Sequence, residues 1–183
     1  MDFAAPREKE ATMSAHPPLA DEREKDILRK CWYSHDGNWF RAVAQEFGLE
    51  VANRLNRQVI RAQGKVETLR LMKALGISQI SDVEEMIRFV DTAVHLIIGP
   101  LMEFEIRALD DRSYEGIFHR CFVHENIVKA GVAQSYVCAV FDRLQGFHEA
   151  ANLPLTEEIA ALPCAKAEGR ECRRVLTIQP PKP

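Results

Sequence analysis

Residues 104–121 read FEIRALDDRSYEGIFHRC, and the fold class turns on them. Phe104, Ile106 and Ala108 alternate with Glu105 and Arg107, the two-residue period of a strand with one buried face. Asp110-Asp111-Arg112-Ser113 has turn chemistry. Tyr114 to Cys121 can return as a second strand, so the segment predicts an antiparallel hairpin.

Upstream the period is helical. Asp21 with Glu24 reads as a capping box before Ile27, Leu28, Cys31 and Trp32. Gly37 interrupts, and Trp39, Phe40, Val43 and Phe47 form a second helix closed by Gly48. A third starts near Leu49, with Val51, Leu55, Val59 and Ile60 as its stripe, and continues through or restarts after Gly64 to reach Gly76. Ser81, with Glu84, opens a fourth, whose apolar face is Val83, Ile87, Val90, Val94 and Ile97 before Gly99-Pro100 stops it. Downstream, Asn126–Gly131 predicts a short helix, Ser135–Ala151 a longer one, and Thr156–Leu162 a further helical turn or two. CRRVLTI at 172–178 reads as a final strand that pairs with the hairpin. The expected class is α+β, an N-terminal helical layer packed on a small antiparallel sheet made of the hairpin and the C-terminal strand. One domain over 21–178 is expected, flanked by flexible tails at 1–20 and 179–183.

Composition narrows the function classes. The chain has 183 residues, 46% hydrophobic and 28% charged, which is globular and enough for a core without disulfides. With 24 Lys+Arg against 27 Asp+Glu the net charge is -3, which argues against a nucleic-acid partner. No apolar run reaches the roughly 18 residues of a membrane span. No export signal opens the chain, so the expected compartment is the cytoplasm, with the five cysteines as reduced thiols.

The densest polar constellation is His119-x-Cys121-x-x-His124, followed by Cys138 and Asp142. On a regular strand His119 and Cys121 point the same way, and on one helix Cys138 and Asp142 share a face. Cys172 opens the last strand and can face the same pocket. Thiols and imidazoles together allow a thiophilic metal site, zinc or iron, at His119, Cys121, Cys138 and Cys172. They equally allow a nucleophilic cysteine activated by a histidine. The plain alternative is that each cysteine fills core space.

A second constellation, WYSHDGNW at 32–39, sets the His35-Asp36 pair between aromatic residues. His35 can act as acid or base, while Ser34 or Asp36 can simply cap a helix. Asn53 and Asn56 lie on one helix face and can bind a ligand, brace the His35 loop or meet solvent. Arg57, Arg61, Arg173 and Arg174 can hold an anion or serve as solvated surface, and His95 reads as a satisfied core residue.

CWYSHDGNWFRAVAQEFGLEVANRLNRQVI (31–60) resembles an uncharacterised bacterial family of cytosolic proteins, and HRCFVHENIVKAG (119–131), YVCAVFDRLQGFHEA (136–150) and ECRRVLTI (171–178) fit the same pattern. The Cys138-to-Asp142 step and the strand opening at Cys172 are similar to the L-2-amino-thiazoline-4-carboxylic acid hydrolase family. A more distant likeness is to small-ligand-binding 4-vinyl-reductase-type domains, through Gly169-Arg170-Glu171-Cys172.

The hydrolase resemblance implies ring opening of a small carboxylated heterocycle near Cys138 and Asp142. The expectation that follows is a small hydrolase-like enzyme of C–N or C–S bond chemistry. In it Cys138 is nucleophile or ligand, His119 or His35 the base, and Asp142 the orienting group. Trp39, Asn53, Asn56, Cys121 and His124 would contact substrate. The alternative is a metal- or small-ligand-binding module without turnover. The apolar helices also allow a homo-oligomer.

Overall fold

In the computed structural model, residues 20–179 are described. The expected tails at 1–20 and 179–183 therefore lie almost wholly outside the described residues.

Three long helices lead: α1 (Asp21–Phe47), α2 (Leu49–Leu75) and α3 (Val83–Ile97). The hairpin follows as β1 (Met102–Ala108) and β2 (Ser113–Cys121), then α4 (Phe122–Lys129), α5 (Val140–Ala150) and β3 (Arg173–Thr177). The class is the α+β architecture expected, with a three-stranded antiparallel sheet in the order β1-β2-β3. Glu115 at the middle of β2 sits opposite Arg107 on β1 and Val175 on β3, so the late strand does complete the hairpin.

Several boundaries differ. Gly37 does not break α1, which runs through it, and Asp21 does not cap it, the capping position being Ala20 without a side-chain bond. The acidic first turn (Asp21, Glu22, Glu24) meets the positive helix end instead. Gly48, at φ 86°, is the whole connection to α2. α2 passes Gly64 unbroken and ends on Gly76 in the left-handed region. The capping box of α3 is shifted by one residue: Asp82 accepts from the Glu85 N–H at 2.8 Å, and Glu85 accepts from the Ser81 N–H. Residues 156–162 hold no helix; a 3-10 turn at Ala165–Glu168 comes later.

The core lies between α3, α5 and the inner face of the sheet. Val83, Met86, Phe89, Val90 and Ala93 line α3, while Tyr114, Phe118 and Leu176 rise from the strands. Rings of Phe89 and Phe147, and of Phe118 and Phe141, meet edge-on. α5 is buried along Phe141–His148 because α2 covers the side away from the sheet. That crossing is tight: a Cβ at Gly146 would overlap the Arg61 carbonyl, and one at Gly64 the Arg143 carbonyl. Across it Arg57 donates two hydrogen bonds to Asp142 (2.9 and 2.8 Å), and Arg61 pairs with Glu149. These arginines are thus internal ties.

Candidate functional site

α1 buries no residue. It touches the body at few places: Arg29 donates to the Leu96 carbonyl at the end of α3, Tyr33 meets the Phe122 ring, and Phe40 meets Tyr136. Between these contacts it roofs a cleft of about 1010 Å³. The inward positions Tyr33, Asp36, Phe40 and Ala44 follow helical spacing, so one stripe of α1 supplies the roof. Ile60, Leu101, Met102, Phe122, Val123 and Ile127 make apolar walls, and Asn56, Tyr136 and Arg143 bring polar groups to them.

Arg143 is the cleft's buried cation. Its Nη1 donates to Glu67 at 3.2 Å and to the Tyr33 hydroxyl at 3.4 Å, and its guanidinium lies 6.0 Å from the Tyr33 ring centre. Its Nε and Nη2 make no hydrogen bond among the described residues. Burial pushes the carboxyl of Glu67 up, with Arg143 opposing, and the Tyr33 hydroxyl is raised by the same burial. Burial also raises Asp36, against the pull of Arg143. Asn56 donates to the Tyr136 hydroxyl at 3.3 Å.

The residues singled out from sequence scatter over several places. His35 and Trp39 lie on the far side of α1 from the cleft, where the Trp39 indole donates to His35 Nε2 at 3.2 Å. Asn53 is buried and structural: its amide donates to the Ser135 carbonyl and accepts from the Val137 N–H. Those bonds hold 135–139 as a loop, so Cys138 is not on a helix face with Asp142. Asp142 is engaged by Arg57. His119 and Cys121 do not point the same way. Arg120 opposes Glu103 and Phe118 opposes Phe104, which leaves His119 as the extra residue of a bulge. His119 is exposed and bonds Glu105 at 3.0 Å, while Cys121 is in the core. His95 is exposed too, not buried as expected.

The cysteines do gather. Cys121, Cys138 and Cys172 lie near one another and near Cys164, close enough that their neighbours add to the raising of their thiols, and His124 Nδ1 lies 3.7 Å from Cys164 Sγ. Cys164 had no sequence signal of its own. Desolvation is the largest cause of the raised thiols of Cys121, Cys138 and Cys172, pushing Cys138 up to about 12 and Cys172 to about 11. Among the described residues no three His, Cys, Asp or Glu side chains come together in a way that could hold a metal ion, and the exposed His119 stands apart from the buried Cys121 and Cys172 of the expected quartet with Cys138. Nor are Cys138, Asp142, His35 and His119 assembled as a catalytic set.

Residues 21–130 match the family model described as a family of unknown function, DUF6125. The chain belongs to that family. No curated protein and no solved structure matches it. The DUF6125 match runs from the first residue of α1 through α4, so the roof and one wall of the cleft are inside it and Arg143 lies beyond it. Among the described residues no helix is long and apolar enough to cross a membrane.

Proposed function

We propose that this DUF6125 protein is a binding module for a small, largely apolar carboxylate, held under α1 without turnover. The supporting observation is the cleft of about 1010 Å³ whose lining joins an apolar wall to the buried Arg143. A site of that size accepts a drug-sized molecule, and beside its apolar walls the lining carries the basic side chains Lys30, Arg41, Lys129 and Arg143. A carboxylate is the group that two free guanidinium N–H donors hold best. Asn56, Tyr33 and Tyr136 supply hydrogen bonds beside it. The thiazoline-hydrolase-like alternative requires an ionisable thiol beside a base. Cys138 has its thiol pushed up to about 12, so the binding reading is preferred. All five cysteines are free, which fits the reducing cytoplasm as the compartment.

The test is a thermal-shift series with 4-phenylbutyrate, octanoate and their amides. At ten times Kd an acid adds about 1.4 kcal/mol, a rise in Tm of about 3–5 °C. The amides are expected to give little. Arg143→Gln alone strands the buried Glu67 carboxylate, so the informative variant is Arg143→Gln with Glu67→Gln, which stays folded and loses the acid response. Equal shifts by acid and amide, or an undiminished response in the double variant, would defeat the reading.

A further inference from the structure

α2 carries a second apolar stripe that the fold leaves uncovered. Gly64, Glu67, Thr68 and Leu71 face the protein and are buried. On the other side Leu55, Val59, Ala62, Val66 and Leu69 follow alternating steps of four and three residues, the spacing of a coiled-coil seam. Val59 is 55% exposed and Leu69 61%, and Ala62 is exposed between them. Val66 is exposed as well and Leu55, at the end of the stripe, is half-buried, so four seam positions lie on a surface where lone scattered apolar residues would be ordinary.

The seam is a palindrome: Leu, Val, Ala, Val, Leu, with its smallest residue at the centre. Such a stripe is complementary to itself when a second copy is turned end for end about Ala62. Leu55 then meets Leu69 of the second copy, and Ala62 meets its own copy where the helices must approach closest. The flanking charges choose the same direction. Antiparallel pairing sets Lys65, which is paired with Glu149 of its own chain at 2.6 Å, opposite the neutral Gln58; parallel pairing sets it opposite the cation Arg70.

We infer that α2 forms an isologous antiparallel homodimer through Leu55, Val59, Ala62, Val66 and Leu69, with the two-fold axis at Ala62. The ligand cleft lies on the α1 side of the same helix, near Asn56 and Ile60, and is left open by this pairing.

The test uses the full chain in sedimentation velocity and in cross-linking. The wild type is expected to sediment at twice the chain mass. Val66→Glu, and independently Leu69→Lys, are expected to raise the dissociation constant at least about tenfold with an unchanged circular dichroism spectrum. In a Cys31→Ser background, Ala62→Cys chains should oxidise to dimers. Leu55→Cys chains should cross-link to Leu69→Cys chains and not to themselves. A monomeric wild type at about 100 µM, weaker than any association worth the name, overturns the proposal. So does a dimer indifferent to both seam variants, or self-linking of Leu55→Cys chains, which would mean a parallel pair. A dimer broken by Trp32→Arg but not by Val66→Glu would move the interface to α1 and equally overturn it.

Discussion

Arg143 serves the fold and the cleft at once. It comes from α5, pairs with Glu67 on α2 and reaches Tyr33 on α1, so three helices are tied at one guanidinium. It can do so because the backbones of α2 and α5 nearly touch beside it, at Gly64 and Gly146. Gly146→Ala puts a methyl against the Arg61 carbonyl, and backbone cannot rotate away as a side chain can. The expected loss is at least about 1–3 kcal/mol of unfolding free energy by urea denaturation, although alanine is intrinsically the better helix former. An unchanged midpoint would show that the crossing has room for a methyl group. Little of this was legible in the sequence. An arginine and a glycine inside FDRLQGFH look like a solvated helix face until α2 is known to cover it. The gathering of cysteines was partly legible, from their number near the C-terminal strands. The outward turn of His119 was not, because a one-residue bulge leaves no compositional mark.

α1 is 27 residues long and buries none of them, so its stability comes from its own helical propensity and a few anchors. Gly37 is the weak point of that propensity. A Cβ there would meet nothing within 4 Å, so no packing reason requires a glycine. Gly37→Ala is expected to stabilise the protein by about 0.5–1 kcal/mol, read from the denaturation midpoint, with amide exchange of α1 slowed most. Faster exchange in α1 would show that the helix needs the glycine's freedom. The same arithmetic explains why the sequence suggests two helices where one exists: a glycine costs about 1 kcal/mol, too little to stop a long helix. The hairpin, α3 and the last strand were readable because burial on one face imposes a period. The loop at 135–139 was not, because what stops the helix there is distant: Asn53 from α2 grips Ser135 and Val137, and Cys138 N–H bonds the Leu162 carbonyl.

Across the whole molecule, the sheet and the last turn of α5 meet at a buried histidine. His148 is fully buried, stacked on Tyr114, with Nε2 2.6 Å from the Tyr114 hydroxyl and Nδ1 2.8 Å from the Leu153 carbonyl. A carbonyl can only accept, so Nδ1 carries the proton and Nε2 accepts from the tyrosine. The ring is neutral, and burial lowers its pKa from 6.5 to about 4. The sign follows from linkage. Above pH 6.5 neither state holds the extra proton and stability is complete. Between 6.5 and 4 the unfolded chain takes up a proton that the fold refuses, so stability falls as pH falls. The full effect is roughly 3 kcal/mol, at most about 1.4 kcal/mol per pH unit. The buried carboxyls of Glu67 and Asp142, raised by desolvation, work in the opposite direction. They protonate first in the fold and blunt the slope toward its acid end. The decisive comparison is therefore between wild type and His148→Gln in the same buffers, by urea denaturation at a series of pH values from about 7 to 5, where free carboxyls stay largely ionised. The wild type should lose stability steadily over that range, and the variant, weaker at pH 7, should lose much less. Parallel curves would mean that the histidine takes up its proton inside the fold and that the Tyr114–His148–Leu153 chain opens to water.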